Sequence, residues 1–440
     1  MECIDSGSIH NHHPVKILQN LIRYDTTNPP GLVADGIAYI KSLLDDVGIE
    51  TQILSWDKDR PNLVARLPGS GRSAPLLLFG HIDVVSARNQ TWRYPPFAGA
   101  VSEGFVWGRG ALDMKGGIAM MVSALLQASE EDPPSGDVLF AVVCDEETGG
   151  KFGSGYLVEE HRQLFEGVRY AIGEFGGFSM RIDQRRFYPI MVAEKQHCWI
   201  KATLKGPGGH GAIPVRDGAM AKLAALLKAI DNKKLPVHIT SAARWMFEGL
   251  AGSIGGIKGL ILSQIMNPML TNRILPLLGE KQRLFDPLLR NTVTPTILRG
   301  SDQINVIPDT VSVELDGRIL PGFSAQDLVK ELHGAFGEEL DIEVLRFEPG
   351  PSDPDMGLFD TIAGILRQVD PEGIPIPMLL SAATDARYFS RLGIQTYGFI
   401  PMRLPEDLDF TSTIHGTDER IPIEALDFGA TAIHHLIRKF

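Results

Sequence analysis

The sequence predicts an α/β protein: a mixed, mostly parallel sheet flanked by helices, with a smaller α+β two-layer domain inserted into it. Three observations predict it. Continuous apolar runs at residues 76–83, 137–144 and 168–172 alternate with segments of helical periodicity, as parallel βαβ units require. Between residues 189 and 350 the order changes to β-α-β-β-α-β, which suits a compact two-layer domain. After residue 353 the α/β alternation returns. The expected domains are therefore 1–188 and 351–440 for the larger one, and 189–350 for the insert.

Taken in order, residues 14–24 carry an apolar helical stripe through Val15, Leu18, Leu21 and Ile22. DTTNPPG (25–31) must turn, because Pro29 and Pro30 cannot continue a helix. A second helix spans 37–47 and stops at Gly48; 50–54 and 62–67 alternate like strands. LLLFGHID (76–83) is a buried strand whose polar residues sit at its carboxyl end, where open parallel sheets bind ligands. A loop through WRYPPF leads to FVWGRGALDMKGG, which places Asp113 between a glycine-rich turn and a helix over 116–128. DVLFAVVC (137–144) runs into Asp145, Glu146 and Glu147, and 168–172 runs into Gly173 and Glu174.

In the insert, strands are expected over 192–205, 294–299, 311–319 and 342–347, with helices over 219–230 and 325–336. The stretch 231–290 interrupts this order. It is rich in Leu, Ile, Met and Gly and is expected to be helical, most simply as cover for the core. A helix over 358–369, a strand over 394–400 and a helix over 422–437 complete the larger domain.

Composition bounds the function. A chain of 440 residues exceeds one core. With 44% hydrophobic and 22% charged residues it is an ordinary globular protein. A formal net charge of -12 with no basic run excludes nucleic acid as the main partner. Cys3, Cys144 and Cys198 are odd in number and far apart, which points to a reducing, cytoplasmic compartment. The N-terminal stretch has neither a basic nor an apolar signal region, and no apolar run has membrane length, so no membrane partner is expected.

The strand ends and nearby loops collect His81, Asp83, Asp113, Glu146, Glu147, Glu174 and His415. Each has a bland reading: a surface H-x-D pair, an N-cap aspartate, a solvated acidic loop. Together, two histidines and several carboxylates form a nitrogen–oxygen donor set that suits zinc, and also cobalt or manganese. The carboxylates are too many for one tetrahedral structural ion. A pair of divalent ions needs a bridging carboxylate, one histidine and one carboxylate per ion, and a spare carboxylate to deprotonate the attacking water.

These residues lie in LLLFGHIDVV, WGRGALDMKGG, CDEETGG, GEFGG and HGTDER, accompanied by GPGGHGAIP, INVIP, DGR and TDAR. In that order the chain resembles the M20 metallopeptidases, the group of acetylornithine deacetylase, succinyl-diaminopimelate desuccinylase, aminoacylase-1 and glutamate carboxypeptidase. The resemblance implies two divalent metal ions, Zn2+ before Co2+ or Mn2+. It makes Asp113 the bridge, His81 and Glu174 the ligands of one ion, and Glu147 and His415 those of the other. Glu146 would be the general base and Asp83 the orienter of His81, with a cis peptide after Asp113. The insert resembles the family's lid and dimerisation domain, which implies a homodimer. His210 would stabilise the oxyanion, in its own or the partner's site, while Asn305 and Arg318 would bind the substrate.

The function expected is hydrolysis of an amide or peptide bond next to a free α-carboxylate, in a small N-acyl amino acid or short peptide. GEFGG and the long insert resemble the longer carboxypeptidase and N-acyl-amino-acid hydrolase members, and the apolar insert suggests an apolar acyl or side-chain pocket. The alternatives are a di- or tripeptidase, which needs a free substrate amine, and a non-catalytic binding protein, which needs no Glu146. The chain departs from many members in its long insert and in the alanines of SAATDAR (381–387).

Overall fold

The computed structural model describes residues 12–337 and 340–440. Cys3 and the start of the N-terminal stretch lie outside them. The chain forms two compact units. The first comprises Met1–Val192, Asp355–Met378 and Thr384–Phe440; the second comprises Ala193–Pro354 and Leu379–Ala383.

The strands in chain order are β1 (Glu50–Leu54), β2 (Asn62–Leu67), β3 (Leu76–His81), β4 (Ala100–Ser102), β5 (Phe105–Trp107), β6 (Val138–Val143), β7 (Tyr170–Gly173), β8 (Met180–Ile182) and β9 (Arg185–Glu194). They continue as β10 (Gln196–Lys205), β11 (Gly209–His210), β12 (Thr292–Arg299), β13 (Val306–Ile307), β14 (Thr310–Ile319), β15 (Asp341–Phe347), β16 (Ile374–Leu380), β17 (Gln395–Gly398) and β18 (Arg420–Pro422).

The large sheet runs β1-β2-β6-β3-β7-β17-β9-β16, with β8 on β9. Its centre is parallel: β3 pairs in parallel with both β6 and β7, and β7 with β17. Antiparallel β2 and β9 flank that centre. Every residue of β3, β6 and β7 is buried, which is why these strands read as unbroken apolar runs and not as alternation. The Lys115–Ser129 helix is buried almost all round because it packs against both the Pro14–Arg23 and Ile423–Lys439 helices.

The second unit is a four-stranded antiparallel sheet, β12-β14-β10-β15. Cys198, Ile200 and Ala202 of β10 and Val311, Val313 and Leu315 of β14 face the Ala219–Asn232 and Ala325–Phe336 helices in one core. A Ser324 capping box with Asp327 starts the second of these helices.

The expected strand over 192–205 is in fact two, β9 and β10, interrupted at Lys195. The break falls in the polar run Glu194–His197, within which Lys195 is itself fully buried. Its Nζ donates to the carbonyls of Pro287 and Arg290 and to Thr292 Oγ1, at 3.0, 2.9 and 3.0 Å. Three acceptors match the three donors of an ammonium, although burial pulls its pKa down to about 7. The strand over 374–380 was not expected, because IPIPMLL contains two prolines; it lies at the end of the sheet order, where proline is tolerated.

The stretch 231–290 is helical, as expected, but it does more than cover a neighbouring core. It has its own: Phe247 packs on Phe285 at 5.4 Å between ring centroids, with Ile265, Leu275 and Leu289 fully buried. Buried Arg290 closes its base, donating to Leu235 O at 2.6 Å and Asn272 Oδ1 at 2.8 Å.

In the first unit, the Phe79 ring packs 4.7 Å from Phe389, and a Cβ on Gly173 of the adjacent strand would strike that ring. Gly173→Ala is therefore expected to cost about 1–3 kcal/mol by overpacking. The cost should shrink in a Phe79→Leu background, as thermal unfolding of the four proteins in the cycle would reveal.

Candidate active site and metal centre

The candidate residues converge because β6, β3 and β7 are parallel neighbours, so their carboxyl ends share one edge. His81 ends β3, and Glu174 follows β7. Beyond β6, a short helical turn over Glu146–Thr148 carries both glutamates. Asp113 sits just ahead of the Lys115–Ser129 helix, and His415 just after the Phe410–Thr413 turn. Asp145, Phe175 and His415 all take left-handed φ values, 75°, 58° and 59°. Such backbone is uncommon outside glycine, and aspartate and histidine adopt it more readily than most. The Asp113–Met114 peptide is cis.

Asp113 presents its two oxygens in two directions. His81 Nε2 is 3.1 Å from Oδ1 and 3.4 Å from Glu174 Oε2. His415 Nε2 is 3.2 Å from Oδ2 and 3.3 Å from Glu147 Oε1. Two groups, His81/Asp113/Glu174 and Asp113/Glu147/His415, thus each bring three donor atoms within 4.8 Å of one another, and each could hold a cation. Glu147 Oε1 is buried, and the group that faces it is His415 Nε2. The donor set is mixed nitrogen and oxygen with no cysteine, which fits a divalent metal and excludes a closed thiolate site.

The tautomer of His81 follows from its neighbour. Nδ1 donates to the backbone carbonyl of Asp83 at 2.9 Å, so Nε2, which faces Asp113 and Glu174, is the nitrogen left to ligate an ion. The Asp83 carboxylate is farther from the ring, 3.6 Å. It also accepts the backbone N–H groups of Glu146 and Glu147 at 3.2 Å each and Asn28 Nδ2 at 2.8 Å. Asp83 therefore ties the turn carrying both glutamates to the end of β3, a role that the H-x-D spacing did not reveal.

Two further residues were missed as individuals. Asn28 of TTNPPG donates from one amide nitrogen toward Asp83, Asp145 and Thr148, joining three segments; in the sequence it reads only as a turn residue. Glu419 of HGTDER is fully buried. It accepts the N–H groups of Gly110, Leu112 and Asp113 at 3.1, 2.8 and 3.1 Å, and Arg109 Nη1 at 2.7 Å. Arg109, also buried, donates to the His415 carbonyl at 3.2 Å. This pair locks the loop of Asp113 to the loop of His415. An acid four residues after His415 was the only available signal. On the other side of the turn, Arg387 Nη2 and Tyr388 Oη both donate to the Gly149 carbonyl, at 2.9 and 2.6 Å.

The site's electrostatics follow from crowded, buried carboxylates. Burial pushes the Glu146 carboxyl well above the ordinary range, and the charge on Glu174 pushes it further. Glu174 is raised to about 7 by burial, against the pull of His81. Burial also disfavours charge on Asp113, but hydrogen bonds from His415 and His81 hold its carboxyl below the usual value. His415 is lifted to about 10 by its hydrogen bonds to Asp113 and Glu147.

The second unit places His210 and Asn305 together: β11 pairs with β13, His210 opposite Val306, and Gly211 N donates to Asn305 O at 2.7 Å. Both side chains are exposed. His210 Nδ1 accepts the Ala212 N–H at 3.1 Å, so the proton of the neutral ring sits on Nε2. Arg318 lies on a different strand, β14, where its fork is already engaged by Asp316 through contacts of 3.1 and 3.2 Å.

Glu419→Ala is expected to cost about 3–5 kcal/mol, because it strands the buried Arg109 charge. Glu419→Gln should cost less. Asp83→Ala should cost about 1–3 kcal/mol for the backbone groups it leaves without an acceptor. Thermal and urea denaturation of the purified variants would measure all three.

Comparison with known proteins agrees with this geometry. Residues 77–439 match the family model described as Peptidase family M20/M25/M40. A probable carboxypeptidase S-like 2 from Dictyostelium discoideum is 26% identical over 83% of this chain and 71% of its own length. The human N-fatty-acyl-amino acid synthase/hydrolase PM20D1 is 28% identical over 83% of this chain and 74% of its own. The crystal structure of the M20 family metallo-carboxypeptidase Sso-CP2 from Sulfolobus solfataricus superposes with a TM-score of 0.69 at 16% identity, covering 97% of this chain and 98% of that one. This chain therefore belongs to the M20/M25/M40 peptidase family, as a metal-binding hydrolase of peptide or amide bonds.

Proposed function

We propose that this protein is a two-metal hydrolase cleaving an amide or peptide bond next to a free α-carboxylate, of the N-acyl-amino-acid deacylase or carboxypeptidase type. The observation that carries this reading is the division of Asp113, one carboxylate oxygen toward His81 and Glu174 and the other toward His415 and Glu147. A shared carboxylate between two matched His–Glu pairs is what two adjacent divalent ions need. Zn2+ suits these donors best, and Co2+ or Mn2+ meet the same set. When bound, such ions supply positive charge that acidifies water and polarises the scissile carbonyl.

In this reading Glu146 is free of both ligand groups and acts as general base. It takes a proton from water as the water oxygen bonds to the carbonyl carbon. The tetrahedral intermediate then collapses, the C–N bond breaks, and Glu146 returns the proton to the leaving nitrogen. The products are a carboxylic acid and an amine. The burial that raises the Glu146 pKa makes it a stronger proton acceptor than an ordinary carboxylate. Asp83 holds the Glu146 backbone in place through its N–H. His210, whose Nε2 proton is fixed by the Ala212 contact, is read as the donor to the developing oxyanion, and Asn305 as a substrate contact. Arg318 would have to exchange Asp316 for the substrate carboxylate.

The relatives aligned along the sequence are named for carboxypeptidase and acyl-amino-acid chemistry, so the di- or tripeptidase alternative is not favoured. A spare buried base is also more than a binding protein needs.

Glu146→Gln should lower kcat by about 10²–10⁴-fold while leaving the bound metal, measured by elemental analysis, unchanged. A screen of N-acyl amino acids and blocked dipeptides against unblocked ones tests the substrate class; hydrolysis of the unblocked ones alone would contradict it. Chelation should abolish turnover, and zinc, cobalt or manganese should restore it. Loading the metal-free protein at pH 8 should release a proton, because His415 holds one there and must lose it to ligate; calorimetry in buffers of different ionisation heat would detect this. In the metal-free protein, the raised His415 pKa adds stability that is full below its unperturbed 6.5 and lost as pH rises through about 10.

A further inference from the structure

The helices within 231–290 expose apolar side chains in a way their own packing enforces. The Gly256–Ser263 helix turns Gly259 and Leu262 inward. A Cβ on Gly259 would collide with the Ala251 carbonyl, so this helix must seat its glycine against the Ser241–Ile254 helix. That fixes its rotation. Ile257, Leu260 and Ile261, at i, i+3 and i+4, then share the opposite face at 78%, 65% and 41% exposure. The same segment goes on to expose Met269 at 83% and Leu277 at 71%. Single exposed apolar residues are common, but a helix whose outer face is its apolar one is not.

Charge says what this surface fits. Over residues 255–285 the only ionisable residues are Lys258, Arg273, Lys281 and Arg283, against one acid, Glu280; all are exposed, in a chain of net charge -12. Two copies of the patch face to face would oppose like charges, which disfavours a second copy as the occupant. An anionic lipid surface meets both properties at once: its headgroups attract the basic residues, and its acyl region accepts Ile257, Leu260 and Ile261.

We propose that the exposed face of the Gly256–Ser263 helix, with Lys258 on that helix and the exposed basic residues that follow it in the chain, adsorbs this protein to anionic phospholipid membranes. The mode is interfacial, since no helix among the described residues is long and apolar enough to cross a bilayer. The lack of an apolar run of membrane length led to the opposite expectation in the sequence. A consequence, which rests on the acyl-amino-acid reading above, is that the enzyme meets amphiphilic substrates at the membrane where they partition. The adsorption itself does not rest on that reading.

The test is flotation of the full chain with phosphatidylcholine vesicles containing phosphatidylserine, and with phosphatidylcholine vesicles alone, without substrate. The protein should float with the anionic vesicles and be released by high salt. Ile257→Ser/Leu260→Ser should weaken binding by about tenfold or more per side chain, and Arg273→Glu/Lys281→Glu should abolish the preference for phosphatidylserine, with both variants keeping wild-type circular dichroism. Failure of the wild type to float with either vesicle would overturn the proposal. So would equal flotation of wild type and variants, or light scattering that shows a wild-type dimer and a monomeric Ile257→Ser/Leu260→Ser variant without flotation. Hydrolysis of water-soluble substrates, unchanged in these variants, separates failure here from failure of the proposed activity.

Discussion

The structure depends on holding Asp113, Glu146, Glu147 and Glu174 together, buried or nearly so, at one sheet edge. Like charges at such range repel, and burial removes the water that would screen them. Three devices offset this. His81 and His415 each stand between Asp113 and a glutamate. Backbone N–H groups neutralise the supporting carboxylates, with Asp83 held by Glu146 and Glu147, and Glu419 by Gly110, Leu112 and Asp113. Arg109 balances Glu419 below the site. What remains at the centre is a donor set whose excess negative charge suits divalent cations.

The supporting carboxylates also divide the labour of the fold. Asp83 and Asn28 fasten the Glu146–Thr148 turn to β3, while Glu419 and Arg109 fasten the Asp113 loop to the His415 loop. The groups proposed to bind and react therefore sit on segments that are each pinned from behind. The raised pKa of Glu146, the proposed general base, is a product of the same crowding, through burial and Glu174.

Much of this was legible in the sequence, for a physical reason. Parallel strands buried on both faces leave unbroken apolar runs, and the polar residues that end them are conspicuous, as with His81, Glu146 and Glu174. The groups that do the pinning were not legible in the same way. Asn28 looks like any turn residue before a proline, and Glu419 acts through backbone N–H groups whose position depends on tertiary structure. The break at Lys195 lies in the polar run Glu194–His197, which in sequence is equally compatible with an exposed stretch of one continuous strand. The outward apolar face of the Gly256–Ser263 helix was equally hidden, since its composition is that of a core helix and only the contact of Gly259 with Ala251 decides which face turns inward.

The central claim is that Asp113 is shared by two ions. X-ray diffraction from zinc-loaded crystals at the zinc absorption edge tests it most directly. The account predicts two anomalous peaks about 3.5–4 Å apart, with Asp113 between them, His81 and Glu174 on one, and Glu147 and His415 on the other. A single peak, or two peaks that do not share Asp113, would contradict it.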